Sequence, residues 1–121
     1  MYFYVEISNM NQDLKNLLVA KNYTRIKLRE TLTQHLEFKA TINGVVGSFI
    51  LDTGASSSCV GFDGIDYFNL LAEDSKIKAA GAGASDMLTQ SSSKNSLKIG
   101  DWEYKKLTLV LFDLSHVNTA L

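Results

Sequence analysis

Asp52 lies between the apolar run Phe49-Ile50-Leu51 and the segment Thr53-Gly54-Ala55-Ser56, so a single carboxylate follows directly on what reads as the end of a buried strand. A carboxylate at the edge of a core needs hydrogen-bond donors to replace the water it loses. The next residues can supply them. A glycine two positions on lets the chain turn and bring backbone N–H groups to the acid, and Thr53 adds a hydroxyl. The chemistry open to such a group is proton transfer, as general base or general acid.

The other reactive side chains form no comparable pattern. Ser56-Ser57-Ser58 are small polar residues without a Gly-x-Ser-x-Gly elbow, and neither His35 nor His116 stands in a recognisable nucleophile–base arrangement, which argues against a serine hydrolase. Two histidines and one cysteine at these spacings make no metal site. Cys59, beside Val60, reads as a small buried hydrophobe with no chemical role. Gly81-Ala82-Gly83 lacks the third glycine and the strand-turn-helix setting of a dinucleotide fingerprint, and no Gly-Lys-[Ser/Thr] follows it. No cofactor is expected.

Apolar-apolar-Asp52-Thr53-Gly54-Ala55-Ser56, entered from a hairpin, resembles the active-site loop of the aspartic proteases, and most of all the single-domain retropepsin-like group of retroviruses and bacteria. The resemblance extends from about Tyr23 to Asn118 and implies an aspartic endopeptidase. In that family two carboxyl groups share one proton and activate a water between them. A chain with one Asp-Thr-Gly would obtain the second from a symmetric copy, so the resemblance implies a homodimer acting on a peptide or protein. It gives Asp52, Thr53 and Gly54 the catalytic positions and Ala55 a place against the substrate. Gly81, Ala82 and Gly83 become the tip of a flap that closes over the peptide. A complete domain of this family continues into an apolar-apolar-Gly loop, a helix and a last strand, which this sequence does not show. The implied fold is all-β, a closed, barrel-like retropepsin half that is incomplete at its C-terminus, with an N-terminal amphipathic helix and one short internal helix. A fold can outlive its chemistry; the alternative function is an inactive peptide-binding or dimerisation module, and the simplest alternative leaves Asp52 as a capped turn acid paired with a nearby lysine or arginine.

The elements that must position Asp52 are legible in the periodicity. Leu36, Phe38, Ala40 and Ile42 alternate with Glu37, Lys39 and Thr41 as in a half-buried strand, Asn43-Gly44 supplies a tight turn, and Val45 to Leu51 returns to the acid. A slip of one residue in that hairpin would turn the carboxylate to the other face. Upstream, Asn9 and Gln12 have capping-box spacing, and Met10, Leu14, Leu17 and Leu18 form the stripe of a helix ending near Asn22. Tyr23 to Leu28 alternates as a strand, while Arg29 to Gln34 reads as a polar connection. The first seven residues have strand propensity but no evident partner. Downstream, Ile65, Phe68 and Leu71 suggest a short helix, Glu73 to Lys76 a charged connection, and Ser91 to Ser96 a polar loop. Gly100-Asp101 marks a further hairpin turn. Leu107, Leu109 and Leu111 face one way and Val110 and Phe112 the other, the pattern of a central strand.

With 121 residues, 45% of them hydrophobic, the chain has room for one modest core. Residues 23–121 read as the protease domain and 1–22 as a segment preceding it. Twelve basic and thirteen acidic side chains leave a net charge of −1, without the footprint of a nucleic-acid or anionic-membrane binder. The single cysteine precludes an intrachain disulfide and fits a reducing compartment. Met1 to Ile7 lacks a basic leader and is interrupted by Glu6, so a cytoplasmic location is expected.

Overall fold

The computed structural model describes residues 2–5, 11–74 and 89–114. Strand β1 (Tyr2–Val5) runs parallel to β2 (Tyr23–Ile26), Tyr2 opposite Tyr23 and Val5 opposite Ile26, so the first residues do have a partner. Parallel strands need a crossover, and helix α1 (Gln12–Ala20) provides it. Its cap is Asn11, whose side chain accepts the Asp13 N–H at 2.7 Å; Asn9 lies outside the described residues. Asn22, at φ 63°, turns the chain out of the helix. No residue of α1 is fully buried: of its apolar stripe Leu14 and Leu17 are exposed and Leu18 is half-buried.

The rest of the chain builds a seven-stranded sheet. Arg29–Glu30, expected as connection, forms a short strand β3 against the start of β4 (Leu36–Ile42). Asn43 and Gly44 take left-handed conformations, φ 51° and 82°, as a two-residue hairpin turn requires. The chain returns as β5 (Val45–Ile50) with Ile42 opposite Val45 and Glu37 opposite Ile50. Strand β6 (Cys59–Gly61), the single-turn helix α2 (Gly64–Tyr67) and the short β7 (Glu73–Asp74) follow. Strands β8 (Gln90–Ile99) and β9 (Trp102–Phe112) form the long hairpin around Gly100. The main path runs β3-β4-β8-β9-β6, with β5 on β4 and β7 on β8. Its two ends, β3 and β6, do not pair with each other, so the sheet is open where a closed, barrel-like half was expected.

Two further segments expected as connections became strands because neighbouring strands supply pairing that local composition does not reveal. Ser91 to Ser96 lies within β8, beside β9, and the irregular register around Asn95 is taken up by Lys94 at φ 60°. Glu73–Asp74 pairs with the same strand. The expected central strand is found: Leu109, Val110, Leu111 and Phe112 are all buried, with β9 between β8 and β6.

The core gathers Ile42, Val60, Phe68, Leu70, Leu109 and Leu111. Gly47 of β5 passes so close to α2 that a Cβ there would meet the Phe68 ring at 2.6 Å. The hairpin turn is fixed by a side chain: Asn43 donates to the Phe68 carbonyl at 3.0 Å and to Asn95 Oδ1 at 2.9 Å, and accepts the Ser96 N–H at 2.9 Å. Asn95, itself buried, donates to the Ser92 carbonyl at 3.0 Å and the Leu107 carbonyl at 3.3 Å. Asn43→Gly keeps the left-handed turn available and removes only these bonds. It should lower stability by about 1–3 kcal/mol, read from the urea midpoint, because Asn95 and the Ser96 amide lose partners; an unchanged midpoint would contradict this role.

Candidate active site

Strand β5 ends at Ile50, and the Leu51 N–H still bonds to the Leu36 carbonyl at 2.8 Å, so the register of the hairpin holds up to the acid. There the chain turns. The Asp52 carbonyl accepts the Ala55 N–H at 3.2 Å, closing a four-residue turn, and Oδ1 of the same residue accepts the Gly54 N–H at 2.9 Å. The loop is tied down at its far end by the Val110 N–H, which donates to the Ser58 carbonyl at 3.0 Å as β6 begins beside β9. A carboxylate is thus held by the backbone of its own turn, between two fixed strands.

The acid is more open than the run Phe49-Ile50-Leu51 suggests. Phe49 and Ile50 are only half-buried, and Leu51, Asp52, Thr53, Gly54, Ala55 and Ser56 are all exposed. The reason is geometric: β5 has β4 on one side only, and the turn leaves the sheet at its end. Gly54 does not take a positive φ, and a Cβ there would meet Asp52 Oδ1 at 3.4 Å. That distance is ordinary van der Waals contact, so within this chain the turn itself does not demand a glycine. Among the described residues no lysine or arginine pairs with Asp52.

A cleft of about 1580 Å³ opens beside this loop. Asp52, Gly54 and Ala55 line it, and because the sheet is open it reaches Leu109 and Phe112 of the core strand. Thr53 is exposed but outside this lining, and its hydroxyl has no partner among the described residues. Gly81, Ala82 and Gly83, the expected flap, lie outside the described residues, as does His116.

A family model described as aspartyl protease matches residues 38–121. The chain belongs to the aspartyl protease family. Solved structures agree on the fold. EIAV protease complexed with the inhibitor HBY-793 superposes with a TM-score of 0.58 at 17% identity, covering 74% of this chain and 94% of that one. A retropepsin-like aspartic protease from Rickettsia conorii superposes with a TM-score of 0.53 at 18% identity, covering 70% of this chain and 64% of that one, so this chain spans just under two thirds of its length. The fold is therefore retropepsin-like. No curated protein matches the sequence.

Two side chains of this aspartyl protease differ from their sequence reading. His35, given no role, lines the same cleft as Asp52. Counting back from the Asn43-Gly44 turn would have placed it one residue before Leu36, whose carbonyl bonds to the Leu51 N–H next to the acid. Cys59, expected to be buried, is exposed at the start of β6, where its thiol donates to the Ser57 carbonyl at 3.4 Å. Partial burial of the sulfur still pushes the thiol above its ordinary range, by desolvation of the thiolate. Since the thiolate is the nucleophile, alkylation of Cys59 by iodoacetamide at pH 7 should be slower than that of free cysteine, and should keep rising with pH beyond the point where free cysteine levels off. Equal rates at pH 7 would contradict the shift.

Among the described residues no cluster of His, Cys, Asp or Glu could hold a metal ion, and no helix is long and apolar enough to cross a membrane.

Proposed function

We propose that this chain is an aspartic endopeptidase whose active centre forms between the Asp52 carboxyls of two copies. The observation that carries the reading is an exposed carboxylate, braced by its own turn and free of any cation among the described residues, at the mouth of a cleft.

Each part of the loop then has a task. One Asp52, ionised, takes a proton from water while the water oxygen attacks the peptide carbonyl. The other, protonated, gives its proton to the carbonyl oxygen. The resulting diol collapses as the first Asp52 gives the proton it took from water to the amide nitrogen and the second takes a proton from a diol hydroxyl, so that C=O re-forms, the C–N bond breaks and the pair again holds one proton. Two carboxyls this close titrate as a pair, and either copy can serve as base. The Thr53 hydroxyl braces the two loops across the dyad, the absence of a side chain at Gly54 allows them to approach, Ala55 borders the substrate, and Gly81, Ala82 and Gly83 close over it.

The test is cleavage of a peptide library by the wild-type chain and by Asp52→Asn, with the dimer fraction of each measured by sedimentation. Asp52→Asn should keep its fold and dimer fraction and lose about a hundredfold or more of the activity. Cleavage surviving in that variant would overturn the assignment. Peptide binding by a wild-type dimer without turnover would replace it with the inactive binding module.

A further inference from the structure

We infer that Asn43 is a modification site guarded by the fold: opening of the hairpin exposes its amide to deamidation, and the aspartate or isoaspartate that results cannot re-form the contact that sets the register leading to Asp52. The inference goes beyond peptide cleavage and does not rest on it. Asn43-Gly44 is the single Asn-Gly pair of the chain. A glycine after asparagine has no side chain to shield its backbone nitrogen, and here Gly44 is exposed, with nothing within 4 Å of the place a Cβ would take.

The reaction needs only water. The Gly44 nitrogen, losing its proton, attacks the side-chain carbonyl carbon of Asn43; the bond from that carbon to the amide nitrogen breaks, and the nitrogen leaves with the proton as ammonia. Water then opens the cyclic imide at either carbonyl. One opening gives aspartate; the other gives isoaspartate, which routes the backbone through the side-chain carbon and adds a methylene to the turn. An amide and water become a carboxylic acid and ammonia.

In the folded chain this attack is blocked. Asn43 Nδ2 donates to the Phe68 carbonyl at 3.0 Å and to Asn95 Oδ1 at 2.9 Å, and Oδ1 accepts the Ser96 N–H at 2.9 Å, so the amide is held toward α2 and β8 and away from its own turn. The main chain is pinned as well, since the Asn43 N–H donates to the Ser96 carbonyl at 2.9 Å. To swing onto the Gly44 nitrogen the amide must break all three of its bonds. Attack therefore waits for local opening of the hairpin.

The product does not fit the place it came from. An aspartate can still accept the Ser96 N–H with one oxygen. Its other oxygen stands where Nδ2 donated, facing two further acceptors, the Phe68 carbonyl and Asn95 Oδ1, with no hydrogen between them. Turning the Asn95 amide over gives no relief, because its nitrogen already donates to the Ser92 and Leu107 carbonyls. Glu73 and Lys94, which line the hollow beside Asn43, offset each other in charge. A half-buried carboxylate between two acceptors is expelled, and the link between the β4–β5 turn, α2 and β8 goes with it.

The experiment keeps folded wild-type chain, and the same chain unfolded in urea, at neutral pH and follows Asn43 by the mass gain of its peptide, located by fragmentation. That gain excludes isomerisation at Asp63-Gly64, which leaves the mass unchanged. Asn43 should convert at least about tenfold faster in urea, as expected if its hydrogen bonds must open first. Urea unfolding of Asn43→Asp should show an unfolding constant raised by about ten- to hundredfold over wild type. Comparable rates in the two states, or no conversion in urea, overturn the guarded site. An Asn43→Asp midpoint equal to that of the wild type overturns the loss of the contact. An Asn43→Asp chain with no folding transition supports that loss, and the wild-type rates, which need no variant, still decide the guard.

Discussion

The amide of Asn43 holds this structure in register. Its three hydrogen bonds join the β4–β5 turn to the end of α2 and to the bulged centre of β8, elements far apart in the chain. Buried or half-buried polar groups that are fully satisfied specify one arrangement, since any slip leaves donors and acceptors without water or partners. Here a slip would also reverse the faces of β5. The position of Asp52 thus depends on a contact at the opposite end of its own strand. Among the described residues no buried side-chain nitrogen or oxygen lacks a partner, so the network around Asn43, Asn95 and Ser92 is complete.

That dependence explains what could be read from the sequence. The alternation of Leu36 to Ile42, the Asn43-Gly44 turn and the apolar approach to Asp52 are local signals, and hairpin and acid turn follow from them. The central strand was equally legible, because Leu109 to Phe112 is apolar on both faces. Strand β8 was not. Its serines, Lys94 and Asn95 have the composition of a loop, and only pairing with β9 on one flank and β7 and β4 on the other makes them a strand. The partner of β1 was hidden for a similar reason, since a parallel pair is linked through a helix and leaves no hairpin signature. At the candidate site, the glycine after Asp52 signalled the turn that is found there, while the exposure of Leu51 to Ser56 and the openness of the sheet depend on which edges lack neighbours, a global property of the fold.

The chain builds its acid turn without help from another copy. The carboxylate is oriented by the Gly54 N–H and the turn by the Ala55 N–H, both from the same loop. In the proposed enzyme a second copy would therefore add a carboxyl group to a turn already shaped, and the energy of association would not be drawn upon to fold it. The exposed Thr53 and the cleft that reaches the core strand are the features of this monomer that such a partner and a peptide would cover.

The central claim is that both carboxyls of one active centre come from Asp52. Wild-type chain and Asp52→Asn should be mixed at constant total concentration, left to exchange subunits, and assayed for peptide cleavage across the mixing ratio. If an active centre needs two intact acids, activity falls as the square of the wild-type fraction, to about a quarter at equal mixing, as expected for random pairing in a twofold dimer. Activity that falls only in proportion to the wild-type fraction, to about half, or more shallowly, to about three quarters as when every mixed dimer is fully active, would show that one intact Asp52 suffices and would contradict the account.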